Sequence, residues 1–228
     1  MELAGFVNKK NIAVVGNSCS LFAQSYGEFI DSHDVVIRFN KPAIFYKGNE
    51  KTHGSKITFW SFANKKAFVK HVLEKEENID RIKKEFCHNN SIKKMFFKKC
   101  TLTRNTNDII YPLNFHNNLK TRINTDLKDA KISNLSKSIK NLKFNKSLAN
   151  EYDLSTGFVV IHWLSMLNPA NVNIFGFDFK TTPTFSEKEK FDTEIKNRLD
   201  IRCNHNFEME EFYIKNIILK ENKNFRVY

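Results

Sequence analysis

Two apolar, β-branched runs lie about 20 residues apart: I-A-V-V over Ile12–Val15 and D-V-V-I-R-F over Asp34–Phe39. The first runs into Gly16-Asn17-Ser18, the second into Asn40. A short apolar run without alternation reads as a strand covered on both faces, the signature of a parallel sheet. Two such strands at that distance fit a βαβ unit. Leu21–Ile30 is then the crossover, as a short helix or an irregular segment. This pairing limits what the remaining chain can fold into.

The rest follows the same alternation. Lys56–Phe62 reads as a third strand and Ala63–Glu77 as a basic amphipathic helix. Met95–Leu102 and Asp108–Leu113 read as further strands. Residues 114–150 are rich in Asn, Lys and Ser, with Leu119, Leu127, Leu135, Ile139 and Leu142 as helical anchors. This is the variable segment, expected to face an acceptor. Phe158–Leu167 is hydrophobic all round and so reads as a buried helix. Asn168-Pro169 ends it, and Val172–Phe177 is another strand. Asn204–Asn222 reads as a helix with acids in its first turn and lysines toward its end, as the helix dipole favours. The expected fold is α/β: a Rossmann-like α/β/α sandwich with a mainly parallel sheet, one domain over 1–228.

Composition excludes several classes. A chain of 228 residues with 41% hydrophobic residues builds one substantial core and is not disordered. No apolar run is long enough to span a bilayer, and no apolar stretch precedes the first strand. The expected location is the cytoplasm. Cys19, Cys87, Cys100 and Cys203 form no C-x-x-C pair, so neither a zinc site nor a redox motif is indicated. The net charge of +12 suits an acidic partner: a nucleotide-type substrate, nucleic acid or an anionic membrane surface. The basic stretch Lys65–Arg104 is the candidate for peripheral contact with anionic lipid at the inner face of the membrane. Ile92–Cys100 (I-K-K-M-F-F-K-K-C) mixes cations with aromatics, as nucleic-acid binders do. A solvated helix face plus core phenylalanines is the simpler reading, and no nucleic acid is expected.

Ligands of such sheets bind outside the carboxyl ends of the strands. Asn17 and Ser18 follow the first strand, and Arg38 and Asn40 end the second. Ser155-Thr156-Gly157 opens the buried helix, where free N–H groups receive a phosphate or ribose oxygen. Gly176 ends a further strand and permits close backbone approach. Each also has a structural reading: Gly16-Asn17-Ser18 as turn and cap, S-T-G as plain N-capping, Arg38 and Asn40 as an ion pair and turn. His205 read alone is a surface histidine at a helix start. Tyr152 is a candidate phosphate donor and equally a core tyrosine.

Three stretches resemble the sialyltransferases of glycosyltransferase family 29. Ile12–Asn40 resembles their long motif, Leu154–Phe179 their short motif, and His205 with Glu210 their H-x4-E motif, in the family's order. The resemblance implies a sialyltransferase-type variant of the GT-A fold. It also implies a metal-independent, inverting transferase that uses a CMP-activated sugar and a glycan or glycolipid acceptor, without a cofactor. Asn17 and Asn40 would contact the CMP phosphate and ribose. Ser155, Thr156 and Gly157 would hold the nucleotide, with Ser18 beside them, and Gly176 would line the cytidine pocket. His205 would be the general base, and Glu210 would hold the helix or the histidine. Two departures stand out. The cysteines that join the long and short motifs in animal members correspond to Asn11 and Pro169, which fits a short, cytosolic, bacterial-type relative. The family's third motif is not evident between Phe179 and His205. CMP-Kdo or another CMP-nonulosonate is the alternative donor.

Overall fold

The computed structural model describes residues 3–63, 78–96, 109–110, 154–179, 181–182, 184, 199–200 and 205–228. The segment 114–150, Tyr152, Cys100, Cys203 and most of Lys65–Arg104 lie outside them. So does nearly all of the stretch between Phe179 and His205.

Seven strands form one parallel sheet. They are β1 (Asn11–Val15), β2 (Val35–Phe39), β3 (Phe59–Phe62), β4 (Lys93–Phe96), β5 (Ile109–Ile110), β6 (Asn171–Phe175) and β9 (Phe225–Val227). Their order is β5-β4-β3-β2-β1-β6-β9, and every neighbouring pair is parallel. A two-stranded antiparallel ribbon stands apart, pairing β7 (Leu199–Asp200) with β8 (His205–Asn206). The α/β sandwich read from the sequence is the observed architecture. Strand order reverses at β1: β2 to β5 extend to one side, β6 and β9 to the other. This is the topological switch point, where such sheets leave a crevice at their carboxyl edge.

Alternation sorts the sheet residues into two faces. Ile12, Val14, Ile37, Val172 and Ile174 point to one face. There they meet the helices α1 (Leu3–Val7), α5 (Thr156–Ser165) and α6 (Phe207–Tyr213), the last continuing through a π turn over Ile214–Ile218. Ala13, Val15, Val36 and Phe175 point to the other face, against Leu21 and Ile30 of the β1–β2 crossover. Farther along that face, Phe45, Trp60, Phe62, Ile82 and Phe86 form a satellite core. It includes α4 (Ile79–Ile82), an element the sequence did not suggest.

Several boundaries move. The crossover is a 3-10 turn (Cys19–Ala23) followed by α2 (Gly27–Asp31), because Ser18 caps the first turn and Gly27 packs tightly against a backbone. A Cβ on Gly27 would lie within 1.9 Å of the Glu50 carbonyl oxygen. The third strand begins at Phe59 rather than Lys56, since the loop ahead of it is held by Asp31. That carboxylate accepts the N–H groups of Ser55 and Lys56 and the Ser55 hydroxyl. The last helix starts at Phe207, because Asn206 is its cap and pairs within β8. β9 was not read from the sequence. Its three residues are too few to show a period, and only pairing with β6 makes them a strand.

Two positions carry more structure than the sequence indicated. Arg38 does not reach the ligand edge. It is 1% exposed, with Nε donating to the Lys56 carbonyl at 2.8 Å and Nη2 to the His53 carbonyl at 2.6 Å. Burial lowers its pKa to about 10, opposed by Asp31 at 4.0 Å, so it remains a cation at neutral pH. The second position is Asn11 with the segment after Pro169, where the resemblance implies a disulfide in animal members. Here Asn171 Nδ2 donates to Asn11 Oδ1 at 2.8 Å, which ties the start of β1 to the start of β6, and Asn224 Nδ2 donates to the Pro169 carbonyl at 3.0 Å.

Ile92–Cys100 is engaged with the fold as far as it is described. Ile92 and Met95 are buried, Lys94 Nζ donates to the Cys87 carbonyl, and Lys93 Nζ lies over the Phe6 ring. Lys93–Phe96 is a strand rather than a helix face, with Lys93 and Lys94 held against the fold; residues 97–100 lie outside the described residues.

Candidate active site at the carboxyl edge

The switch point is built by close approach of backbones. Gly16 N–H donates to the Phe175 carbonyl at 2.7 Å. A Cβ on Gly16 would lie 2.3 Å from the Gly176 carbonyl oxygen, so only glycine lets the ends of β1 and β6 meet here. Gly176 itself has φ +65°, the left-handed region that glycine adopts without strain. The chain then turns so that the half-buried Phe177 fills the crevice. Its ring would meet a Cβ on Gly157 at 2.4 Å and one on Gly16 at 2.9 Å, and it packs edge-on to Phe39 at 5.8 Å. Phe177 therefore links the ends of β1, β2 and β6 to the start of α5. The sequence reading did not single it out. Its place directly after the strand-ending Gly176 was the available signal.

Polar groups collect around this ring. Asn17 Nδ2 donates to the Phe39 carbonyl at 3.0 Å, which fixes the amide orientation. Its Oδ1 is buried and accepts no hydrogen bond among the described residues. A buried acceptor without a partner is costly, so this oxygen is a candidate to receive a ligand's donor. Asn40 follows β2 with φ +48°, a conformation Asn tolerates better than most residues. Its N–H donates to the Ser61 carbonyl, and its carbonyl accepts from Trp60 Nε1 at 2.8 Å. With the backbone held on both sides, the half-buried side chain makes no hydrogen bond among the described residues.

Ser18 belongs to a different task. Its hydroxyl accepts from Ser20 N–H and lies 2.8 Å from both Ser20 Oγ and Thr182 Oγ1. Thr182 in turn donates to Asp178. This chain of hydroxyls ties the turn after β1 to the turn after β6. Thr182 was not anticipated, because its partner Ser18 is 164 positions away, nor was Asp178, which holds Thr182.

At α5, Ser155 is the N-cap: its Oγ accepts the Phe158 N–H at 3.2 Å. Glu210, 2% exposed, grips the same serine twice. Oε1 accepts Ser155 N–H and Oε2 accepts Ser155 Oγ–H, both at 2.6 Å. Glu210 thus holds the start of α5. Thr156, half-buried, and Gly157, buried, follow in the first turn. His205 comes five residues before Glu210, just ahead of the cap of α6. Asn206 Oδ1 accepts Met209 N–H at 3.0 Å, and Asp200 lies opposite His205 in the ribbon. The His205 ring is half-buried and edge-on to Phe207 at 5.7 Å. The cap and about the first turn of α6 therefore connect His205, through Glu210, to the start of α5.

Two further histidines are enclosed. His53 ends α3 (Glu50–His53) and is 1% exposed. Burial, then the nearby Arg38 charge, lowers its pKa to about 4. His162 lies inside α5, 2% exposed, within 3.4 Å of the Tyr213 hydroxyl.

Glu210 yields a pH prediction. Burial raises its carboxyl from 4.5 to about 7, against the two Ser155 hydrogen bonds. The folded state then holds the proton more tightly than the unfolded state between these values, so stability falls as pH rises through that window. At about 1.4 kcal/mol per pH unit, the full effect is about 3 kcal/mol. Glu210→Gln resembles the protonated form. Its stability relative to wild type, from urea melts, should improve by about 2–3 kcal/mol between pH 5 and pH 8. A difference that does not change with pH would mean the carboxyl titrates normally.

Among the described residues, no three His, Cys, Asp or Glu side chains gather, and no helix is long and apolar enough to cross a membrane. No curated protein matches the sequence. The structure is similar to that of a mammalian sialyltransferase solved in complex with Gal-beta-1-3GalNAc-ortho-nitrophenol. The TM-score is 0.54 at 18% identity, covering 99% of this chain and 71% of that one. A second mammalian sialyltransferase structure gives a TM-score of 0.49 at 17% identity, covering 96% and 69%. The first likeness establishes the fold. The family model of glycosyltransferase family 29 (sialyltransferase) matches residues 7–222, from α1 to the end of the last helix, and takes in every stretch assembled at the carboxyl edge. This chain belongs to glycosyltransferase family 29, the sialyltransferases.

Proposed function

We propose that the protein moves sialic acid from CMP-sialic acid to a hydroxyl of a surface glycan precursor, with inversion and without a metal ion. The observation that carries this reading is the convergence at the switch point. Gly16, Gly157 and Gly176 surround Phe177, with Asn17 Oδ1, which has no hydrogen-bond partner among the described residues, beside them. An acceptor oxygen suits a ribose hydroxyl or the cytosine amine and cannot bond a phosphate, so Asn17 takes the nucleoside side of the donor. Asn40, with its side chain uncommitted, is assigned to the phosphate or ribose. Ser155, Thr156 and Gly157 offer the helix start to the nucleotide, and Ser18 and Gly176 shape the wall.

His205 is the general base. It takes the proton of the acceptor hydroxyl as that oxygen attacks the anomeric carbon from the side opposite the departing CMP. Glu210 acts through position: by fixing Ser155 it fixes the start of α5 relative to α6. No D-x-D pair is present in the sequence to hold a divalent ion on the donor. The leaving phosphate is then stabilised by hydrogen bonds and the helix end.

The test is a donor screen with CMP-Neu5Ac, CMP-Kdo and related sugars, read as CMP release with and without EDTA. Release from CMP-Neu5Ac should survive chelation within about twofold. A complete loss restored by Mg²⁺ or Mn²⁺ would overturn the metal-independent mechanism, and preference for CMP-Kdo would reassign the donor. CMP should bind where single-stranded oligonucleotides do not. Peripheral contact with anionic lipid at the cytoplasmic face is part of the same reading and is checked by salt-sensitive co-sedimentation with anionic vesicles.

A further inference from the structure

On the α2 face of the sheet, a cavity of about 390 Å³ runs from the starts of β1 and β6 across Asn173 to Arg226 of β9 and Tyr228 beyond it. Alternation places its side chains. Ala13 and Phe175 belong to the small core on the α2 face, so Asn11, Asn171 and Asn173 point the same way. A sheet covered on both faces puts apolar residues at such positions. Three carboxamides there mark a surface the fold leaves for something polar.

These amides are ordered but not saturated. Asn171 Nδ2 donates to Asn11 Oδ1, and Asn173 Nδ2 donates to His33 Nε2, both at 2.8 Å. His33 is itself fixed, with Nδ1 donating to the Phe29 carbonyl at 2.8 Å. Asn11 Nδ2, Asn171 Oδ1 and Asn173 Oδ1 make no hydrogen bond among the described residues. Arg226, the register neighbour of Asn173 on β9, is exposed and has no ion pair among the described residues. An aromatic wall completes the cavity. Tyr228 stacks on Phe175 at 4.9 Å, and Phe29 packs edge-on to both. Phe29 and Tyr228 are 41% and 38% exposed, two of the three large hydrophobic residues that stand out among those described.

The donors, acceptors and rings narrow the ligand. A pyranose has C–H groups on one face for an aromatic ring, and hydroxyls around its rim for amide donors and acceptors. An unpaired guanidinium selects a carboxylate, which it holds through two parallel hydrogen bonds. The volume is at the small end of ligand pockets, which run to about 300–1,000 Å³. We propose that this cavity binds one carboxylated sugar residue of a glycan, as a second carbohydrate site separate from the carboxyl edge. Asn11 and Asn171 begin five-residue strands whose other ends lead to Asn17 and Gly176, roughly 13 Å away. A glycan held at one raises its effective concentration at the other. The choice of a glycan rests on the reading of the protein as a sialyltransferase, but its test needs neither donor nor turnover, so the two can fail separately.

Calorimetric titration of the protein, with saturating CMP present, compares sialyllactose with lactose. Sialyllactose should bind at least tenfold more tightly. Arg226→Ala should remove that advantage, and Arg226→Lys should restore part of it. Asn171→Asp, which sets a second carboxylate against the ligand, should weaken sialyllactose and leave lactose unchanged. CMP affinity should stay the same in all three variants. Equal binding of the two sugars, no binding at millimolar concentration, or a sialyllactose affinity unaffected by Arg226→Ala would each overturn the proposal.

Discussion

His205→Ala should lower turnover by about 10²–10⁴-fold while CMP still binds, the range a general base typically contributes. The case rests on placement and on the burial of three of the other described histidines. His33, His53 and His162 are all 3% exposed or less. His53 is further unsuited: its Nδ1 is committed to the Thr52 hydroxyl at 2.6 Å, and the ring is sealed beside Arg38. His205 is half-buried, on a short ribbon immediately before α6, and so is open to a substrate while held by backbone pairing. The measurement is single-turnover transfer alongside CMP titration. A folded variant with near-normal chemistry would remove His205 as the base. Loss of CMP binding would make it a donor-site residue.

Gly16→Ala should destabilise the protein by about 3 kcal/mol, the upper end for overpacking, and should weaken CMP binding as well. The added Cβ would fall 2.3 Å from the Gly176 carbonyl oxygen and 2.9 Å from the Phe177 ring. The first is backbone at a strand end and has no rotamer to escape into, so β1 and β6 must part at the crevice. Asn17 would move with them. Gly5→Ala is the control, since nothing lies within 4 Å of a Cβ there. In helix α1 it should stabilise by about 1 kcal/mol. Urea melts of both variants decide the matter. Two variants of equal stability would show that the switch point tolerates a side chain.

The sequence by itself determined the parallel sheet and its carboxyl edge. The apolar runs at Ile12–Val15 and Asp34–Phe39 are covered on both faces, and covered strands must be continuously apolar whatever their neighbours. Ser155 was legible as a cap for a similar reason: capping is a contact within one turn, so the sequence contains both partners. Arg38 shows the limit of such reading. Ending a strand beside Asn40, it pointed to a ligand, yet the carbonyls that hold it come from residues 15 and 18 positions away in a loop without pattern. Only the tertiary structure decided which polar groups meet. Glu210 and Ser155 are 55 positions apart, Ser18 and Thr182 are 164 apart, and Asn173 and His33 are 140 apart. Local patterns reflect burial and backbone conformation, which each short segment encodes alone. Pairing between distant side chains depends on strand order and register, and these were settled by the packing of the whole sheet.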